Sequence, residues 1–359
     1  SCVHLLFTDR VMWSSLLSTL MLILGPLTVC SSAASVPLEF NQNVESSNAG
    51  ERSPFDTDLF NEPYADHILF VDPADTKDRM INQHKFELRQ GNDTKCNSDV
   101  FLLNLVKSSP ERYSERQNIR DTWASVKRYR DHRIHTVFIM GSVNNIDKQL
   151  NKTIVEEMVN YGDIIQGDFQ DHFRKQTYKS MMGLTWVEEK CRNSAFVLMT
   201  NDETMVDPFH LVDFLLLQSA DKVTSSRLLY CSLLSNIGPE RNPAQELFVS
   251  KFEYPYVSLP PHCEGFAYVM SRDVISDLLV ASETVPHLWL DEVYVTGMLP
   301  LKAGLKHADM LPGHGYNMMQ KEHLIRDIGK AIFLTASHKS LRSNWNTAWD
   351  RILDLYKAN

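Results

Sequence analysis

The sequence predicts an α/β fold in which a mostly parallel sheet is flanked by helices. Short apolar runs alternate along the chain with longer segments whose apolar side chains recur at helical spacing. One run, residues 195–199 (Ala-Phe-Val-Leu-Met), lacks polar alternation, which is typical of a strand covered on both faces. With 359 residues, 43% of them apolar, the chain can fill a large hydrophobic core.

The amino-terminal segment predicts membrane targeting. Residues 11–30 contain no charged residue, and a helix rising about 1.5 Å per residue over that length would span roughly 30 Å of bilayer hydrocarbon. We therefore expect a short cytoplasmic tail (residues 1–10, whose true start is open because the chain begins with Ser1) followed by a transmembrane signal anchor. A cleaved signal peptide is the alternative, because residues 31–35 (Ser-Ser-Ala-Ala-Ser) supply the small residues of a cleavage site.

Two further features agree with a secreted or lumenal compartment. Glycosylation acceptor tripeptides begin at Asn92 and Asn151. Four cysteines lie beyond the apolar segment, an even number that could form two disulfides in an oxidising lumen, with the pairing left open: Cys96, Cys191, Cys231 and Cys263.

Charge and motifs exclude several classes of function. A formal net charge of -9 argues against a nucleic-acid partner. The sequence contains neither a Gly-x-Gly-x-x-Gly fingerprint nor a Walker-type loop, which argues against dinucleotide oxidoreductases and P-loop phosphotransferases.

The folded domain is predicted to begin at about Cys96. Residues 36–66 carry Pro, Asn, Ser, Glu and Asp with little hydrophobic period, which indicates a flexible stem, and we assign the stem to residues 31–95. Residues 99–106 then form a strong strand candidate, closed by Lys-Ser-Ser-Pro at residues 107–110.

A helix is predicted over residues 114–129, with Ser114 as its cap. Arg116, Arg120 and Trp123 fall near one face of this helix. Two arginines beside a strand end suit a diphosphate. The alternative is a pair of solvated arginines with Trp123 in the core.

The strand and helix alternation continues to the central strand. The predicted strands cover residues 133–141 and 163–169, and the predicted helices cover residues 146–161 and 176–191.

The central strand, residues 195–199, is followed by the acidic loop Asn201, Asp202 and Glu203. Ligands of open α/β sheets bind at the carboxyl ends of strands, and hard oxygens there suit a divalent cation. A polar turn is the alternative interpretation. Asp207 before Pro208 predicts the start of the next helix.

The second half of the chain contains another acidic pair. Asp291 and Glu292 lie inside the apolar segment 288–297, where burial of adjacent acids is costly unless they are used or paired. The predicted elements before this pair are a strand at 228–234, an aromatic, Pro-rich segment at 252–270 that leads into a strand, and a helix at 272–281. Residues 321–359 are predicted to form a helical extension.

Taken together, these blocks resemble the inverting β-1,3-glycosyltransferase family, the β-1,3-galactosyltransferases and β-1,3-N-acetylglucosaminyltransferases that are type II membrane proteins of the Golgi. The similarity runs from Phe101 to about Gly304. Its most specific parts are the run Arg-Gln-Asn-Ile-Arg-Asp-Thr-Trp at 116–123, the sequence Cys-Glu-Gly at 263–265 and the sequence Asp-Glu-Val-Tyr-Val at 291–295. The resemblance implies a GT-A type nucleotide-sugar transferase fold, with a Rossmann-like sheet, over residues 96–320.

The resemblance also implies a reaction. A Golgi enzyme of this family, with its catalytic domain in the lumen, would transfer galactose or N-acetylglucosamine from a UDP-sugar to a hydroxyl of a glycan, glycoprotein or glycolipid acceptor. Inversion at the sugar carbon would give the β configuration, the family resemblance implies a 1,3 linkage, and Mn²⁺ would assist departure of UDP.

Site residues follow from the matched positions. Glu292 takes the place of the catalytic base, with Asp291 beside it. The metal candidates are Asp202, Glu203 and, more weakly, Asn201, completed by His307 or, behind it, His314. The donor-binding candidates are Ser109, Arg116, Arg120, Trp123 and Asp202.

Three departures from the family pattern allow a second interpretation. The triple aspartate of the family is here Asn201-Asp202-Glu203, its preceding lysine is Met199, and its Glu-Asp order is reversed to Asp291-Glu292. A catalytically degenerate homologue that acts as a lumenal binding or chaperone-like protein is therefore the alternative. Carboxylates remain in both blocks, which favours an active enzyme.

Overall fold

The computed structural model describes residues 96, 99–143, 147–219, 226–310, 316–318, 328–329, 331–335 and 338–357. The predicted cytoplasmic tail, membrane anchor and stem, together with Asn92 and His314, lie outside the described residues. Within the described ranges, no helix combines the length and apolar character that a membrane span requires.

The described part of the chain alternates strands and helices for most of its length. The strands are β1 (Leu102–Lys107), β2 (Arg128–Tyr129), β3 (His132–Ser142), β4 (Ile164–Gln170), β5 (Phe196–Asn201), β6 (Thr204–Val206), β7 (Leu229–Leu234), β8 (His262–Ser271), β9 (His307–Asp309), β10 (Tyr316–Met318) and β11 (Phe333–Thr335). The α-helices are α1 (Tyr113–Asp121), α2 (Lys148–Tyr161), α3 (Gln176–Lys190), α4 (Pro208–Ser219), α5 (Arg272–Ser282), α6 (Asp291–Val293), α7 (Leu299–Ala303) and α8 (His338–Lys357). Shorter helical pieces are the 3₁₀ turns Trp123–Ser125 and Phe173–Lys175 and the π-helical stretch Tyr294–Met298.

The main sheet has the strand order β2-β3-β1-β5-β8-β7-β9, with β4 pairing with β3. Strands β1, β3, β4 and β5 are parallel to one another. Strand β8 runs antiparallel to both β5 and β7, and β9 is parallel to β7. The predicted α/β class, with a mostly parallel sheet flanked by helices, is confirmed.

The inner strands are buried on both faces, as their continuous apolar runs predict. In β1, Leu103 and Leu105 belong to one hydrophobic core while Leu102 and Val106 belong to a second. The side-chain period of two places alternate residues on opposite faces. The sheet therefore separates two cores.

The helix predicted over residues 114–129 is shorter in the structure. Helix α1 ends at Asp121, and the chain continues through a 3₁₀ turn into β2, which pairs antiparallel with the start of β3. Arg130 and Asp131 form the connecting turn with φ values of 45° and 63°. Two successive residues with positive φ make a tight hairpin that matches the twist of the strands, and this hairpin replaces the last helical turns.

The carboxyl-terminal segment packs against the second core. Strand β11 pairs antiparallel with β6 directly after the acidic loop. In α8, Trp345, Ala348 and Ile352 are buried, and Trp345 Nε1 donates a hydrogen bond to Thr122 Oγ1 at 2.9 Å. The predicted helical extension over residues 321–359 is confirmed over His338–Lys357. It is wrong at Phe333–Thr335, which form strand β11 because they pair with β6.

The four cysteines beyond the apolar amino-terminal segment form two disulfides. One joins Cys96 to Cys191 at the end of α3, and the other joins Cys231 in β7 to Cys263 in β8. The first bond fixes the start of the folded region, and the second fixes the beginning of β8 beside its neighbour.

Candidate active site

The carboxyl ends of the central parallel strands lie level at one edge of the sheet. Lys107 of β1 is in register with Asn201 of β5. The Asp202 backbone N–H donates to the Lys107 carbonyl at 3.1 Å, and the Ser108 N–H donates to the carbonyl of Ile139 in β3 at 3.0 Å. This register brings the residue that follows β1 beside the residue that follows β5.

The acidic loop is held by the segment that follows β1. Ser108 Oγ donates to Asp202 Oδ2 at 2.6 Å, and Arg112 Nε lies 3.1 Å from the same oxygen. Arg112 Nη1 donates to Glu203 Oε1 at 2.8 Å. Burial raises the pKa of Asp202, while Arg112 and Ser108 oppose that rise. One guanidinium group therefore bridges both carboxylates of the loop.

Asn201 shapes the turn of the acidic loop. Its Oδ1 accepts a hydrogen bond from the Glu203 N–H at 3.0 Å and another from Thr204 Oγ1 at 2.9 Å. An amide oxygen has two lone pairs, so both are in use. The Asn201 side chain thus positions Glu203 in this structure.

The second acidic segment meets the same strand-end loop. Asp291 is buried, and its Oδ2 accepts hydrogen bonds from Lys107 Nζ at 2.5 Å and from Ser180 Oγ at 2.9 Å. Because Lys107 and Ser108 are adjacent, two consecutive residues contact Asp291 and Asp202. The two acidic blocks, 89 positions apart (291 minus 202) in the chain, therefore lie at one site.

Glu292 is half-buried at this site, and no salt bridge to its carboxylate occurs among the described residues. Desolvation raises the pKa of its carboxyl group; the neighbouring charge of Asp291 adds to the rise, and Lys107 opposes it. A carboxylate with a raised pKa and no cation paired to it can accept a proton from a substrate hydroxyl.

A bulge in β8 lies between the two acidic segments. The register of β8 against β7 shifts between the pairs Cys231–Tyr268 and Leu233–Cys263. In the shifted stretch, the Phe266 carbonyl accepts a hydrogen bond from Thr200 Oγ1 at 2.8 Å, beside the acidic loop. A Cβ at Gly265 would lie 3.6 Å from the Glu292 carboxyl carbon. The bulge thus lies against the side chain of Glu292.

A π-helical stretch directly after α6 connects Glu292 to this bulge. Thr296 Oγ1 donates to the Glu292 carbonyl at 2.5 Å and accepts the Cys263 N–H at 2.9 Å. Single π-helical turns inside α-helices often occur at functional sites. Thr296 therefore fixes the turn that carries Glu292.

The structure does not bring His307 to the acidic loop. His307 begins β9, which is three strands away from β5, an offset of roughly 14 Å at the usual strand spacing. Its Nε2 lies 2.5 Å from the Thr296 carbonyl, and burial lowers its pKa. Among the described residues, no three His, Cys, Asp or Glu side chains are grouped so that they could hold a metal ion.

The two arginines of α1 form ion pairs, one fully buried and one partly exposed. Arg116 is fully buried and donates to both oxygens of Glu157, at 2.8 and 2.6 Å, and to the carbonyls of Ser109 and Pro110, at 2.6 and 3.2 Å. Arg120 pairs with Asp163 at 2.8 Å. Arg116 thus acts on the loop after β1 by holding its backbone.

Trp123 is fully buried in the second core. The structure therefore gives this residue the core position that the sequence allowed as the alternative. Ser109, by contrast, lies at the edge of the polar cluster, where its Oγ donates to Asp171 Oδ1 at 3.3 Å.

Sequence reasoning missed four residues that hold the site together: Lys107, Ser108, Arg112 and Lys179. Lys179 Nζ donates to the Ser108 carbonyl at 2.7 Å and pairs with Asp171 at 2.9 Å. A usable signal existed, because the residues that follow neighbouring parallel strands must meet at one edge. Within the Lys-Ser-Ser-Pro segment, only Ser109 is predicted from the sequence to be a site residue.

Comparison with known proteins places these residues in a family context. Residues 114–311, more than half of the chain, match the family model described as Galactosyltransferase. Among curated relatives, beta-1,3-galactosyltransferase 5 of Pan paniscus is 36% identical over 56% of this chain and 66% of its own length. Beta-1,3-galactosyltransferase 1 of Mus musculus is 31% identical over 63% of this chain and 68% of its own length.

A structural comparison gives a more distant match. The apo structure of the WbbM bifunctional glycosyltransferase aligns with a TM-score of 0.37 and 10% sequence identity, covering 66% of this chain and 46% of that one. The alignment with this chain covers just under two thirds of the Pan paniscus protein and just over two thirds of the Mus musculus protein.

Proposed function

This chain belongs to the galactosyltransferase family, and we propose that it is a UDP-sugar-dependent inverting hexosyltransferase that moves galactose or N-acetylglucosamine to a glycan hydroxyl, forming a β-1,3 linkage. The family predicted from the sequence blocks is confirmed, and with it the enzyme class, a glycosyltransferase. The observation that carries the proposed reaction is the contact of the adjacent residues Lys107 and Ser108 with Asp291 and Asp202, beside Glu292.

Glu292 is the proposed general base. Its carboxylate takes the proton of the acceptor hydroxyl while that oxygen bonds to the anomeric carbon of the sugar. The bond from that carbon to the UDP oxygen breaks, and UDP leaves with the electron pair. Direct displacement inverts the anomeric configuration. Asp291, fixed by Lys107, positions the turn that presents Glu292.

Asp202 and Glu203 are the proposed holders of Mn²⁺, because they provide adjacent hard oxygen donors at the strand end. When bound, such an ion supplies positive charge that stabilises the leaving diphosphate. The donor set fits in part: Asn201 Oδ1 already accepts two hydrogen bonds, and Arg112 contacts both carboxylates. Ser109 at the edge of the cluster is the proposed further contact to the donor.

We also propose a type II arrangement in the Golgi membrane. The anchor would be residues 11–30 and the stem residues 31–95, with the catalytic domain over 96–320 and the extension over 321–359 in the lumen. The two disulfides support an oxidising compartment. The exposed Asn151 on α2 is open to glycosylation there.

The proposed activity is tested with the purified full chain. UDP-galactose and UDP-N-acetylglucosamine are supplied separately, with and without Mn²⁺, to oligosaccharide acceptors ending in galactose or N-acetylglucosamine. We expect release of UDP that depends on the acceptor, and a β-linked product by NMR. Absence of transfer with every donor and acceptor, and no stabilisation by UDP, would contradict the proposal.

The alternative, an inert lumenal binding or chaperone-like homologue, is not favoured. The relatives of this chain are named as galactosyltransferases. Both acidic blocks of this chain retain carboxylates at one site. Stoichiometric co-purification of a partner by a chain that binds no nucleotide would favour it instead.

A further inference from the structure

We propose that Arg112 is a built-in counter-ion of the acidic loop, which a divalent cation must displace, so that Arg112 sets the metal affinity of the site. The inference rests on the proposed function only in taking Asp202 and Glu203 as the metal-holding residues. It assigns a role to a residue that carries no part of the sequence motifs discussed above.

The contacts of Arg112 define this role. Its Nε lies 3.1 Å from Asp202 Oδ2, and its Nη1 lies 2.8 Å from Glu203 Oε1. A third acid, Glu115, is more distant, with 3.9 Å between its Oε1 and Arg112 Nη2. The planar guanidinium therefore uses two of its nitrogens on the two carboxylates that would otherwise face a metal ion.

The carboxylate oxygens of Asp202 and Glu203 cannot bind Arg112 and a divalent ion equally well at the same time. Asp202 Oδ2 already accepts from Ser108 Oγ and lies beside Arg112 Nε. A divalent ion near these oxygens would also repel the guanidinium charge. Binding of the ion therefore includes the cost of separating Arg112 from its two partners.

Arg112 can leave without disturbing the core. It lies at the amino-terminal end of α1, and its side chain is 26% exposed, whereas Arg116, one helical turn further on, is fully buried. Long side chains at such positions can change rotamer at modest cost. Arg112 is thus the movable cation of the cluster and Arg116 the fixed one.

Binding of Mn²⁺ to the purified full chain tests this, with the free ion measured by its electron paramagnetic resonance signal. We expect Arg112→Gln to bind Mn²⁺ roughly fivefold to fiftyfold more tightly than the unmodified chain, because a partly buried charge pair no longer opposes the ion. Arg227→Gln is the matched control, because it removes the same charge from an exposed pair with Asp277, and its affinity should be unchanged.

A second substitution locates the ion. Adding Asp202→Asn to Arg112→Gln should abolish the gain. An unchanged or weaker affinity in Arg112→Gln overturns the inference, as does a gain that survives Asp202→Asn. Absence of Mn²⁺ binding in every variant also overturns it.

A measurement on the unmodified chain does not depend on the folding of a variant. With arginine labelled by ¹⁵N, the Nε–H resonance of Arg112, assigned by its loss in Arg112→Gln, should shift when Mg²⁺ saturates the site. An unmoved resonance at saturation contradicts displacement. Sugar transfer with no change in Mn²⁺ affinity on Arg112→Gln would overturn this inference and leave the proposed function standing; tighter binding with no transfer would do the reverse.

Discussion

Lys107 and Ser108 connect the two acidic blocks through side chains of different chemistry. The Lys107 ammonium neutralises the buried Asp291, whereas the Ser108 hydroxyl donates to Asp202 without adding charge. Burial of Asp291 would be costly without its cationic partner. The buried Asp291 is therefore paired with a buried lysine, whereas Asp202 is paired with the more exposed Arg112.

Glu292 is expected to control the pH dependence of transfer. The base must be deprotonated, and desolvation raises the pKa of Glu292, so kcat/KM should fall with decreasing pH at a value above the ordinary glutamate range. Glu292→Gln should lower kcat by at least about a hundredfold, since a positioned general base contributes that much or more. UDP binding measured by calorimetry should be retained.

Glu283→Gln is the matched control for this prediction, because Glu283 is exposed at the end of α5. Turnover by Glu292→Gln equal to that of the control would remove Glu292 from the role of base.

Lys107→Met is expected to destabilise the fold by about 3 kcal/mol, because it leaves Asp291 buried without a cation. Urea unfolding followed by circular dichroism measures the change. Adding Asp291→Asn to Lys107→Met should recover part of the loss, since the unpaired charge is then absent. If the double variant is less stable than Lys107→Met, the charge of Asp291 is not the cause.

At the scale of elements, sequence patterns predicted the presence of strands and helices better than the residues at which they end. The strands β1, β3 and β5 follow from apolar runs that are buried on both faces. The end of α1 does not follow, because its apolar pattern continues through Trp123 while a hairpin at Arg130 and Asp131 turns the chain back. Tertiary contacts that end a helix leave only weak local signals.

The same limit applies to the site. Both acidic segments could be identified from the sequence. The acidic loop follows a buried strand, where open sheets bind ligands, and the second segment places adjacent acids in an apolar run, where they require a partner or a use. Their partners could not, because Lys107 and Arg112 contact residues 184 and 91 positions away, and only strand register specifies such pairs. His307 was chosen by its residue type, and the order of the strands places it elsewhere.

Asp207, which caps the start of α4, makes the free energy of unfolding depend on pH. The Asp207 Oδ1 accepts the N–H groups of Phe209 and His210 at 3.1 and 2.9 Å, and burial raises the pKa of Asp207 from 3.8 to about 6. Because the folded-state pKa is raised, the protonated form is the favoured one in the fold. The stabilisation of the fold by protonated Asp207 is fully present below about pH 4 and is lost as the pH rises through about 6.

Asp207→Asn should remove this term while keeping an oxygen that caps the helix. Between pH 4 and pH 7 the variant should gain about 2 to 3 kcal/mol relative to the unmodified chain. Urea unfolding at the two pH values measures the difference, and Asp99→Asn, at an exposed position, is the control. A difference that does not change with pH would contradict the role of Asp207.

At the scale of the whole molecule, the carboxyl-terminal tail, which contains β11 and α8, belongs to the same folded body as the sheet. Strand β11 pairs with β6, which begins one residue after Glu203, so the acidic loop lies between β5 and a strand supported by the tail. The apolar period of the tail predicted a helix, but periodicity does not say where its buried face packs. The tail also lies outside the family blocks, so the resemblance gave no position for it.

Helix α8 packs on the second core. Ile352 is fully buried there, so Ile352→Ala should lower the free energy of unfolding by about 2 to 4 kcal/mol through lost burial and a residual cavity. Arg351→Ala, on the exposed side of the same helix, should change it by less than about 0.5 kcal/mol. Because α8 follows β11, and β11 supports β6 and the acidic loop, Ile352→Ala should also weaken UDP binding as the temperature approaches its melting point. Differential scanning calorimetry with and without UDP measures both effects. Equal melting temperatures of Ile352→Ala and Arg351→Ala would show that the packing of α8 does not stabilise the core that positions the site.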